Sequence, residues 1–180
     1  LLVSVTLGKS ALGLGIVDAS TGQAWASNLN GEDRFARALD EIMRWRPTEI
    51  VVSPQDAEDT ALCALFSHLD SVLISQHRAS ENKRRNRLEK VLKVADLGHL
   101  DLDDAPLALA AAGLAADYLA TMHIADEIPL REVEIIDEAR HLVLDQTTLR
   151  NLELTSTLAG EFEGSLLSTL NACRSSMGRR

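Results

Sequence analysis

Leu2-Val3-Ser4-Val5-Thr6-Leu7 alternates and is rich in β-branched residues, the pattern of a half-buried strand. Gly8-Lys9-Ser10 reads as a turn. Leu14-Gly15-Ile16-Val17-Asp18 makes a second strand, Ala19-Ser20-Thr21-Gly22 turns again, and Gln23-Ala24-Trp25-Ala26-Ser27 makes a third. Three strands joined by tight turns predict an antiparallel meander.

Beyond the meander the period lengthens. From Glu32 to Arg46, the residues Phe35, Ala38, Leu39, Ile42 and Met43 fall on one helical face. Glu32 and Asp33 stand where the helix dipole favours acids, and Pro47 ends the run. Glu49-Ile50-Val51-Val52-Ser53 is short and continuously apolar, as a central parallel strand should be. A second helix is predicted from about Asp56 to Leu69, with Leu62, Leu65, Phe66 and Leu69 inward, and a strand over Ser71–Ser75. The order β-β-β-α-β-α-β predicts an α/β fold: a mixed sheet with a meander on one side and βαβ crossovers on the other.

Residues 81–97 predict a polar, basic helix carrying Lys83, Arg84, Arg85, Arg87, Lys90 and Lys93, with Leu88, Val91, Leu92 and Val94 as its apolar side. Pro106 suits the first turn of an Ala/Leu helix running to about His123, with Leu107, Ala111, Leu114, Tyr118 and Met122 on one stripe. Residues 132–144 read as two short strands or an extended stretch before Asp145. Asp145 is a predicted N-cap, Gly160 a left-handed C-cap, and Ser165 the cap of a final helix with Leu166, Leu167, Leu170 and Cys173 facing inward.

Composition narrows the class. Hydrophobic content of 46% and charged content of 25% fit a globular chain, and with two Trp, one Tyr and three Phe its core must be aliphatic. The net charge of -9 opposes phosphate neutralisation by this segment as a whole. Cys63 and Cys173, far apart in Leu/Ala-rich patterns, read as buried reduced thiols of a cytosolic protein. No run of about 18 apolar residues predicts a membrane span. The chain begins without Met, directly in a strand pattern, and is read as a piece of a longer reading frame.

Chemical signatures are sparse. Gly8-Lys9-Ser10 resembles the end of a phosphate loop, but Val3 stands where that loop needs its first glycine. Gly13-x-Gly15 lacks the third glycine of a dinucleotide fingerprint. Two-metal phosphodiester cleavage needs converging carboxylates; the first strand has none, which leaves Asp18, Asp101, Asp103 and Asp104 as acids that read better as turn residues. His68, His77, His99, His123 and His141 lack metal-ligand spacing. No metal or cofactor ligand is assigned.

The last stretch carries a resemblance. Asp145 precedes Arg150-Asn151-Leu152-Glu153-Leu154, and a Leu-rich segment from Gly164 leads to Met177-Gly178-Arg179. These residues resemble the start of the core domain of the MutS family of mismatch-repair ATPases, in which an acid opens a helix with Arg-Asn-Leu-Glu-Leu and a second helix ends in Met-Gly-x-Arg. More loosely, residues 1–123 resemble the family's connector domain, with Tyr118-Leu119 ending its small-residue helix.

The resemblance implies a ribonuclease-H-like connector over 1–123, a linker over 124–144 and the start of a helical core domain over 145–180. It gives Asp145, Arg150, Asn151, Leu152, Glu153, Met177 and Gly178 structural roles. Lys83, Arg84, Arg85 and Arg87 become candidates for a surface that meets a MutL-type partner. ATP and Mg, mismatched DNA and a homodimer belong to the parent protein, which is expected in the bacterial cytosol with the nucleoid. The mismatch wedge and the Walker A loop are not in this stretch. Two alternatives stand beside this reading: a free-standing metal-dependent nuclease of ribonuclease-H-like fold, and a MutS paralogue acting in recombination.

Overall fold

The computed structural model describes residues 1–92, 106–122, 130, 132–136, 144 and 146–175. Leu1–Asp137 and Glu138–Arg180 form two compact units.

The first unit is built on a mixed sheet of order β5-β4-β1-β2-β3-β6. The meander is β1 (Leu2–Leu7), β2 (Ala11–Asp18) and β3 (Gln23–Asn30). Its second and third strands are longer than their apolar runs predict, because Gly8 N–H donates to Ala11 O at 2.9 Å and closes the first hairpin early. The second turn is tied by Asp18, whose Oδ1 accepts from Ser20 N and Ser20 Oγ. Gly22 follows with φ 75°, a conformation glycine adopts without strain.

β4 (Glu49–Val52) lies parallel to β1, with Leu2 opposite Glu49, and β5 (Leu73–Gln76) lies parallel to β4. β6 (Glu132–Ile135) adds one parallel strand to the far edge, Gln23 opposite Glu132. Only this strand of the two predicted over 132–144 lies among the described residues.

One sheet face carries α1 (Arg34–Trp45) and α2 (Thr60–Phe66). Val3, Val5, Leu12, Leu14, Ile16, Leu29, Ile50 and Val52 pack there against Ala38, Ile42, Leu62 and Leu65. Burial of such side chains contributes roughly 1.5–3 kcal/mol each. Met43, predicted inward, is 43% exposed, and Trp45 takes the end of the helix face instead, its ring 4.7 Å from that of Trp25. The helix predicted over 56–69 is two pieces, a 3-10 turn over Asp56–Glu58 and then α2. Asp59 divides them: it is extended, and its side chain accepts from Ala61 N and Leu62 N as an N-cap.

The opposite face carries α4 (Pro106–Thr121). The predicted single stripe is corrected here, for every residue from Ala111 to Leu119 is buried and Met122 is exposed. The helix is covered on two sides. Leu114, Ala115, Tyr118 and Leu119 pack with Leu2, Val17, Ala24 and Val51 of the sheet, while Ala108 and Ala112 pack with Leu88 of α3 (Glu81–Leu92). Glycines let the backbones approach. A Cβ on Gly13 would stand 2.1 Å from Leu107 O, one on Gly15 2.6 Å from Ala112 N, and one on Gly113 2.7 Å from Arg84 O. The Gly-x-Gly of β2 is therefore a helix seat.

The second unit contains α5 (Gln146–Asn151) and α6 (Leu166–Leu170). Ser165 caps α6 as predicted, accepting from Ser168 N. Gly160 is not a helix C-cap: α5 stops at Asn151, Glu153 turns the chain with φ 48°, and Gly160 closes a separate turn onto Thr157 O. The predicted inward face is also corrected. Leu166, Leu167, Leu170 and Cys173 are exposed, and Ser165 alone is buried among the described residues of this unit. A Leu-rich face shows a preference for burial, but neighbours must supply the cover.

Candidate functional site

Asp117 is the only charged residue of the otherwise largely apolar α4. Asp117 is fully buried, and an isolated buried charge is costly unless it is paired. Three cationic or titratable groups meet it from two other elements. His77, just after β5, places Nε2 at 2.8 Å from Asp117 Oδ2. Lys83 Nζ of α3 lies 2.9 Å from the same oxygen, and Arg87 Nε lies 3.5 Å from Oδ1. The last contact is an ion pair without hydrogen-bond geometry, so Oδ1 makes no hydrogen bond among the described residues. Burial works to raise the Asp117 carboxyl, but the hydrogen bonds and charges of His77 and Lys83 outweigh it and hold it below the ordinary value of 3.8.

A second polar contact fastens the same helix to the sheet. Tyr118 Oη and Ser75 Oγ both donate to Glu49 Oε1. Burial, with the Glu49 carboxylate accepting its hydrogen bond, pushes the Tyr118 phenol above 10.0. The His77 ring meets that of Tyr118 edge-on, 5.5 Å between centroids.

The basic helix predicted from Lys83 to Lys93 is thus only partly a solvated face. Lys83 and Arg87 turn toward Asp117. Arg84 is half-buried, its Nε donating to Ala79 O at 3.1 Å, and burial lowers its pKa against the opposing charges of Asp56, Glu81 and Asp117. Arg85 pairs with Glu89 at 3.0 Å on the outer surface.

Among the residues of the C-terminal motif, Arg150 and Asn151 are exposed at the end of α5 and Leu152 is exposed beyond it. Glu153 joins the turn to α6: its Oε1 accepts from Leu158 N and its carbonyl from Leu166 N. Asp145, Met177 and Gly178 lie outside the described residues.

Asp18 is held in its turn, and the Ser20 hydrogen bonds lower its pKa. Asp101, Asp103 and Asp104 lie outside the described residues, as do His99, His123 and His141. Among the described residues no group of three His, Cys, Asp or Glu could hold a metal ion, and no helix is long and apolar enough to cross a membrane. Cys63 and Cys173, expected to be buried, are both exposed, and the Cys63 thiol donates to Ala57 O. Cys63 lies on the outer side of α2, and Cys173 lies beyond the end of α6 rather than on its inner face.

Spacing in the sequence does not distinguish His77 or Asp117; the one signal is that Asp117 is the only charged residue in the sixteen of α4.

These features define a mixed α/β domain whose buried polar groups tie helices to the sheet, followed by a smaller unit. The family model for MutS domain II matches residues 1–131, and the chain belongs to that family. Relatives extend the similarity over 99% of the chain: the DNA mismatch repair protein MutS of Symbiobacterium thermophilum at 32% identity, that of Nostoc punctiforme at 32% and that of Anaeromyxobacter sp. at 33%. The chain spans about a fifth of their length, 21%, 21% and 20% respectively.

Proposed function

We propose that this chain is the connector domain and the start of the core domain of a MutS-type mismatch-repair ATPase. It relays conformational signals between mismatch-binding, ATP-hydrolysing and MutL-docking parts located elsewhere in the parent, and does no chemistry itself. The observation that carries this reading is the similarity to MutS proteins over 99% of the chain. The polar groups support it, because His77, Glu49, Asp117 and Tyr118 fasten elements to one another rather than converge on an open site.

In this reading the sheet of three antiparallel strands with parallel additions is ribonuclease-H-like. Residues 1–123 are the connector, 124–144 the crossing, and 145–180 open an all-α core. Arg150, Asn151, Leu152 and Glu153, with Asp145, Met177 and Gly178, fix the packing of that core. Lys83, Arg84, Arg85 and Arg87 form part of the surface offered to a MutL-type partner. The parent is a homodimer that holds ATP and Mg and binds mismatched DNA through other domains, in the cytosol with the nucleoid.

Replacing residues 1–131 of the parent with a flexible linker of equal length tests the relay. Mismatch binding and basal ATP turnover should persist while mismatch-dependent capture of the MutL-type partner is lost. Capture at the unaltered level would overturn the proposal.

A further inference from the structure

Helix α3 is attached in an unusual way. Leu88 is the one buried apolar residue among its described side chains, and it sits in a cluster with Ala26, Ala108 and Ala112, against which Leu109, Val133 and Ile135 pack. This cluster is the apolar contact of α3 among the described side chains. Close approach is permitted by Gly113, which leaves room for the Arg84 carbonyl. The specific fastening is ionic: Lys83 and Arg87, half-exposed and partly exposed, reach down to a carboxylate that is fully buried.

The fastening is also incomplete. Asp117 Oδ2 has both Lys83 and His77, while Oδ1 has the Arg87 ion pair at 3.5 Å but no hydrogen bond among the described residues. Were α3 to lift, water would reach Oδ1, and His77 would stay with Asp117 because its backbone N–H, just after β5, donates to Val52 O at 2.9 Å. Lys83 and Arg87 gain full hydration. Each effect lowers the free-energy cost of opening this helix relative to opening the sheet.

We propose that α3 is a strap that opens separately from the rest of the first unit, held over α4 by an ionic latch centred on Asp117. Closed, it turns Lys83 and Arg87 inward; open, it displays them on a basic helix. Glu81 and Arg84 move with the strap, whereas Asp56, His77 and Asp117 stay with the body. The inference goes beyond the relay proposed above and does not depend on it.

Native-state hydrogen exchange read by mass spectrometry on the 180-residue chain tests it, comparing the unaltered protein with the double variant Lys83→Gln/Arg87→Gln. The strap predicts that peptides covering 81–92 open at least about tenfold more often than β1, β4 and α4. In the double variant they should open a further roughly tenfold more often, with the strands and α4 unchanged. Lys83→Arg should retain the original protection. Exchange of α3 in step with α4 and the central strands would overturn the proposal. So would a double variant that leaves α3 unchanged, or one that loses protection in α4 to the same extent.

Discussion

Lys83 Nζ stands 2.9 Å from Asp117 Oδ2, so the most basic of the described helices is anchored through the only charged residue of α4. Asp117 is fully buried and Lys83 half-exposed, so the two ends of the pair are not equivalent. Removing the two α3 cations leaves the buried carboxylate with His77 as its remaining partner, whereas removing the carboxylate frees cations that water can still reach.

The pH dependence follows from the lowered Asp117 pKa. A depressed carboxyl contributes stability that is fully present above its unfolded value and is lost as pH falls through the folded one. Urea midpoints of the unaltered chain should therefore fall more steeply than those of Asp117→Asn as pH drops below about 4. Parallel profiles of the two proteins would show that the carboxylate is not held by its neighbours.

Tyr118 titrates in the opposite sense. Its raised pKa means that the folded chain holds the phenolic proton more tightly, so this contribution is complete below pH 10.0 and declines as pH rises past it. Tyr118→Phe should remove that decline. It should cost about 1 kcal/mol at neutral pH, since Glu49 keeps Ser75 as a donor. Denaturant melts from pH 7 to 11 measure both effects.

Glycine substitutions separate two physical reasons for glycine. Gly13→Ala places a methyl group 2.1 Å from the Leu107 carbonyl, so α4 must shift, and a loss of about 3 kcal/mol or more is expected. Gly160→Ala meets no atom within 4 Å but keeps φ at +85°, which predicts a loss of about 1–2 kcal/mol. Equal losses at the two sites, read from urea melts, would contradict the seating of α4 on β2.

Local periodicity made the meander, β4 and α1 legible, because each reports burial through its own residues. It failed where burial depends on distant chain. The Leu166, Leu167 and Leu170 pattern could not reveal that no described neighbour covers it. The sixteen residues of α4 look like a one-sided helix until α3 is seen on the second side. The glycines of β2 carry no dinucleotide fingerprint, and their role stays hidden in the sequence because the helix they seat is nearly 100 residues away. Of the site, the basic helix was visible, but its partner was not: His77, Lys83 and Asp117 share no spacing rule and meet only through the tertiary fold.

Whether this chain is a passive coupler or an enzyme is decided most directly by turnover. The purified 180-residue chain is incubated with labelled RNA–DNA hybrid, single strands, duplex and ATP, each with magnesium or manganese. The coupler account predicts no product above the metal-only control in any of them. Cleavage of the hybrid that disappears in Asp18→Asn would contradict it, because the acid assigned here to a turn would be acting on a phosphodiester.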